Sequence, residues 1–95
     1  PGPQAAILPW IHQKEIAMLG SDTPNDPSPL EYPNLGLPMH HIGIVQMGLW
    51  LLDNANLEEL AETCIALNRW EFFLSVGTLR IHNATGSPVN PIAVF

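Results

Sequence analysis

Apolar and polar positions along this chain switch between helical spacing, strand-like runs and proline-broken stretches, and each switch marks an expected element. Gln4–Leu8 is a short apolar run ended by Pro9, a residue suited to a first helical turn because its missing N–H costs nothing there. Pro9–Lys14 therefore predicts a short helix. Ile16–Leu19, followed by Gly20-Ser21-Asp22, reads as a strand and then a turn. Between Ser21 and Pro38, Pro24, Pro27, Pro29, Pro33 and Pro38 each remove a donor and restrict the preceding residue, which excludes a regular element. With Leu30, Tyr32, Leu35 and Leu37 in it, this stretch is expected to be an ordered loop lying over a surface.

His40–Trp50 has apolar residues at 42, 44, 45, 47, 49 and 50, an all-round pattern expected of a buried helix. Gly43 and Gly48 weaken that helix and permit close packing against another backbone. Asn56 and Glu59 form a capping-box pattern, so a second helix is expected from Leu57, with Leu57, Leu60, Ala61, Cys64, Ile65 and Leu67 on its apolar stripe. Asn68 and Arg69 suit its end. Trp70–Val76 is continuously apolar and aromatic, the pattern of a strand buried on both faces. Leu79–Ile81 would continue extended, His82–Pro88 is turn chemistry, and Ile92–Phe95 would be a short edge strand. The order of elements is that of a layered α/β arrangement.

Length and composition narrow what such a chain can do. Ninety-five residues make at most one domain, so 1–95 is read as a single domain with a Pro-rich loop at about 21–38. Yet 46% of residues are hydrophobic against 13% charged, more apolar material than a small monomer normally covers. The expectation is burial against a homo-oligomer partner or against a missing N-terminal segment; the opening Pro-Gly-Pro-Gln reads as cut from something upstream. The net charge of −6 arises from nine acids against Lys14, Arg69 and Arg80, with no basic patch for nucleic acid or an anionic membrane surface. A single cysteine, Cys64, excludes an internal disulfide and leans toward a reducing, cytoplasmic location.

The residues best suited to chemistry are His40, His41 and Asp53, separated by an apolar segment. Imidazole nitrogen and carboxylate oxygen are common ligands of zinc or manganese, and a water-activating site needs about three protein ligands. Neighbours on a helix point about 100° apart, so one of the two histidines is expected to serve the site; His40 is preferred because it lies nearest the Pro38-Met39 entry. The alternative is that one histidine caps the helix, the other is exposed, and Asp53 precedes a turn. Asp22 and Asp26 follow a strand, where sites in α/β folds gather, but Asp in such a loop is more often an Asx-turn residue. Cys64 reads as structural, and no nucleophile-elbow pattern surrounds Ser21, Thr23 or Ser87.

At Leu8-Pro9-Trp10, Gly20–Asp26, Pro38–Asn54, Arg69-Trp70-Glu71-Phe72 and Thr85–Phe95 the chain resembles the C-terminal portion of the metal-dependent cyclase family, which includes kynurenine formamidase (arylformamidase) and isatin hydrolase. The resemblance implies an incomplete swivelling β/β/α domain and hydrolysis of a cyclic amide, lactone or aryl formamide by metal-bound water, as in tryptophan catabolism. That family's principal metal ligands lie in an N-terminal His-x-Gly-Thr-His-x-Asp motif that this sequence lacks. His40 or His41, as catalytic and metal-ligating residues, and Asp53, as a metal ligand, would complete a second position, where the family usually has Glu; Asp22 and Trp50 would line the site. Alone, the chain is expected to show little or no activity. The alternative reading is a non-catalytic acidic α/β interaction module.

Overall fold

The computed structural model describes residues 2–29 and 32–95, which fall into two units, Pro1–Leu57 and Glu58–Phe95. In the first, a 3-10 turn at Ala5–Ile7 leads into helix α1, Leu8–Gln13, with Pro9 in its first turn. The sequence placed this helix one residue later. Glu15, at φ 53°, reverses the chain into strand β1, Met18–Gly20. Strand β2, Trp50–Leu52, runs parallel to β1 in the register Met18↔Trp50, Leu19↔Leu51 and Gly20↔Leu52.

A parallel pair needs a crossover connection. Here it holds the Pro-rich loop, a 3-10 turn at Pro33–Leu35 and a helix of π geometry, Met39–Gln46. The expected buried helix through Trp50 is corrected on two counts. It ends at Gln46, because Gly48 at φ +69° turns the chain out of it and into β2. It is also buried only at Met39 and Gly43, while Ile44, Val45 and Trp50 are exposed. Gly43 sits where a Cβ would lie 3.4 Å from Leu49 Cδ2 and 3.8 Å from Leu8 Cδ2. The core is small: Leu8, Ile11, Met39 and Leu49, flanked by Ala5, Ile16, Leu19, Ile42, Met47 and Leu51.

The Pro-rich loop is anchored differently from expectation. Tyr32, Leu35 and Leu37 are exposed, and Leu30 lies outside the described residues. What holds the loop is polar: Asn25 and Asp26 are buried, and the backbone N–H groups of Ala55 and Asn54 donate to Ser21 O at 2.8 Å and Thr23 O at 3.3 Å.

In the second unit, helix α2 spans Glu58–Leu67 and buries Cys64. It ends with Asn68 at φ 47°, whose N–H donates to Ile65 O while Arg69 N–H donates to Cys64 O, the Schellman pattern. Strands β3, Phe73–Ser75, and β4, Ile92–Val94, pair antiparallel, and Phe72 and Phe95 stack with ring centroids 5.3 Å apart. The expectation that Trp70–Val76 is buried on both faces is not met. All three β3 residues are exposed, Phe73 at 71%, because among the described residues β3 pairs with β4 alone and nothing covers its side chains. The apolar excess of the composition is thus at the surface. Among the described residues, no helix is long and apolar enough to cross a membrane.

Candidate functional site

The carboxyl ends of parallel strands are where α/β folds gather functional groups, and both connections leaving β1 and β2 place polar side chains there. Asp53 follows β2 directly. Asn25 and Asp26 lie in the loop that leaves β1. His40 joins them from the first turn of the π helix, between the two carboxylates: Nδ1 is 2.5 Å from Asp26 Oδ2, and Nε2 is 3.0 Å from Asp53 Oδ2.

Each acid is fixed by further donors. Asp26 Oδ1 accepts the Met39 N–H at 2.7 Å and Oδ2 accepts the His40 N–H at 3.2 Å, so this carboxylate caps the helix that carries the histidine. Asp53 Oδ1 accepts two donors from Asn25, the backbone N–H at 2.8 Å and the side-chain amide at 2.7 Å. The Asn25 amide also donates to Leu52 O at 3.2 Å, and its oxygen accepts the Ser21 hydroxyl at the same distance. Among the described residues every buried side-chain nitrogen or oxygen has a partner.

These contacts set the charge states. Burial opposes ionisation of His40, but hydrogen bonds to Asp26 and Asp53 and the charges of both acids outweigh it and raise its pKa above 6.5. Burial likewise opposes the Asp53 carboxylate, and the two Asn25 donors together with His40 overcome it and lower its pKa below 3.8. Both shifts favour the charged forms, the His40 imidazolium facing the Asp53 carboxylate.

The structure brings together His40 and Asp53 of the residues singled out from the sequence. His41 is exposed on the same helix, with its ring beside Gly36. Asp22 is exposed, Trp50 is 62% exposed, and neither hydrogen-bonds to the cluster through its side chain. Asn25 was missed by the sequence reading, and Asp26 was weighed beside Asp22 without being placed in the site. Asp26 was set aside as a turn residue, and the only hint to its role is its position between two prolines after a strand.

Among solved structures, the chain is similar to a crystal structure described as that of a novel cyclase, with 33% sequence identity and a TM-score of 0.79. The match covers 99% of this chain and 30% of that one, so this chain spans under a third of the cyclase's length. No family model and no curated protein matches. The mixed α/β fold is therefore that of part of a cyclase structure, and the cyclase resemblance read from the sequence agrees with it.

Proposed function

We propose that this chain is part of a cyclase-type hydrolase that opens a cyclic amide, a lactone or an aryl formamide, and that it contributes two donors, His40 Nε2 and Asp53 Oδ2, to a divalent-metal site. The observation that carries this reading is the direction of the His40 ring. Asp26 Oδ2 accepts from Nδ1, which leaves the Nε2 lone pair of a neutral ring facing the Asp53 carboxylate at 3.0 Å. A lone pair and an anionic oxygen at that distance need a cation between them, either a proton or a metal ion.

The donor set fits a metal. Two ligands each about 2.1 Å from one zinc ion, at angles between square and tetrahedral, are about 3.0–3.4 Å apart. No group of three or more His, Cys, Asp or Glu that could hold an ion is present among the described residues, so further donors have to come from elsewhere. Zinc or manganese bound there would supply polarisation of the substrate carbonyl and a water acidic enough to attack it. The chain's own residues have the remaining roles. Asp26 orients the imidazole, Asn25 holds Asp53, and His40 gives up its Nε2 proton when a metal replaces it.

Elemental analysis after equilibration with zinc or manganese, followed by dialysis, tests the reading. Retained metal supports it. The isolated chain is expected to turn over N-formylkynurenine or isatin negligibly, and appreciable turnover would contradict the incomplete donor set. Absence of metal, combined with self-association, would favour the alternative of a non-catalytic acidic module binding a partner or itself, a reading supported by Trp70, Phe73 and Leu79 standing exposed in the second unit.

A further inference from the structure

One dipeptide addresses both halves of the cluster. Asn25 contacts Asp53 and the neighbouring Asp26 contacts His40, and the pair lies between Pro24 and Pro27, whose rings fix their own φ and, at Pro27, restrict the backbone of Asp26. The Asn25 side chain has no solvent exposure and the Asp26 side chain is 3% exposed. A turn residue would need neither such burial nor partners 13 to 28 positions away.

We propose that Asn25-Asp26 is the positioning element of this site: Asp26 fixes His40 as the Nδ1–H tautomer with Nε2 as the donor atom, and Asn25 turns Asp53 so that Oδ2 meets it. This rests on the metal-site reading above. Asp26 does its part through a carboxylate that has only acceptors. Oδ2 takes both the backbone N–H and the ring Nδ1 of His40, so turning the ring over breaks one contact without replacing it. Asn25 does its part by filling Oδ1 of Asp53 with two N–H groups, which leaves Oδ2 as the oxygen open to a cation. The amide cannot flip without turning its oxygen onto Leu52 O and Asp53 Oδ1, both of which only accept. Second contacts of this kind on a ligating histidine or carboxylate typically change metal affinity 10–100-fold.

The test uses the whole 95-residue chain, with zinc alone as the probe. Long-range proton–nitrogen correlation spectra, recorded at a pH where His40 is neutral, report its tautomer. In the wild type Nδ1–H is expected, and Nε2–H would overturn the proposal without any variant. In Asp26→Ala no acceptor remains at Nδ1, so the ring is expected to switch to Nε2–H donating to Asp53 Oδ2 and zinc affinity to fall at least tenfold. Asn25→Ala is expected to lower zinc affinity about tenfold with the tautomer unchanged. Unchanged tautomer and affinity in Asp26→Ala would overturn the proposal. If the wild type binds no zinc, the metal-site reading fails, and the tautomer measurements alone still decide whether Asp26 positions His40.

Discussion

Asn25 meets Asp53 with two of its three N–H donors on one oxygen: the backbone N–H at 2.8 Å and the side-chain amide at 2.7 Å reach Oδ1 across 28 positions of sequence. This contact ties the loop after β1 to the end of β2.

Removing that tie should be costly. Asn25→Ala deletes a buried amide and takes one of two N–H donors from Asp53 Oδ1 and one of two from Leu52 O, which keeps the Ser21 N–H; because one of the lost bonds is to a charged group, a loss of about 1–3 kcal/mol is expected. Urea denaturation measures it. A loss below about 0.5 kcal/mol, the range of ordinary surface substitutions, would mean that the loop is held by something else.

The cluster also predicts how stability varies with pH. His40 has a raised folded pKa, so its contribution is fully present below its unfolded value of 6.5 and is lost as pH rises through the higher folded value. Asp53 has a lowered folded pKa, so its contribution is present above 3.8 and is lost as pH falls through the lower folded value. Metal-free protein should therefore lose melting temperature on going from pH 6 toward pH 9, and His40→Gln should flatten that slope. Melting curves at matched ionic strength check this; an equal slope in both proteins would contradict it.

Gly48 is the hinge on which the helix-to-strand switch depends. At φ +69° it occupies a conformation that L side chains rarely adopt, and Gly48→Ala is expected to destabilise by about 1–2 kcal/mol even though no atom lies within 4 Å of the added methyl. Gly77, equally open but without a positive φ, is the control: Gly77→Ala should be neutral or slightly stabilising. Chemical denaturation of the two variants gives the comparison.

Phe73 provides the converse case, a large apolar residue with little folded contact. Phe73→Thr keeps the β preference and is expected to change stability by under about 0.5 kcal/mol while lowering the protein's binding of an apolar dye. A loss of several kcal/mol would show that Phe73 is covered in solution.

Local chemistry made some of this legible in advance. Pro9 announced α1, the Asn56/Glu59 pattern announced a helix one residue before the observed start of α2, and Ile92–Phe95 ended the chain as an edge strand. Strand β2 was hidden, because Leu49–Leu52 prolongs the apolar run of the helix before it and only the backbone sign at Gly48 separates the two. Burial was misread for β3 because continuous apolar character describes a surface awaiting cover as well as one already covered. In the site, His40 and Asp53 were visible as scarce functional groups in an apolar segment. Asp26 was weighed and set aside, since a carboxylate in a Pro- and Asn-rich loop has an adequate local explanation, and its actual partners are 13 and 14 residues away.

The central claim, that His40 Nε2 and Asp53 Oδ2 form half of a metal site, is tested most directly by calorimetric titration of zinc into the wild type, His40→Ala, Asp53→Asn and His41→Ala. The account predicts measurable binding in the wild type, retention in His41→Ala, whose altered side chain is exposed and outside the cluster, and loss in the other two. Equal binding by His40→Ala and the wild type, or no binding by any of the four, would contradict it.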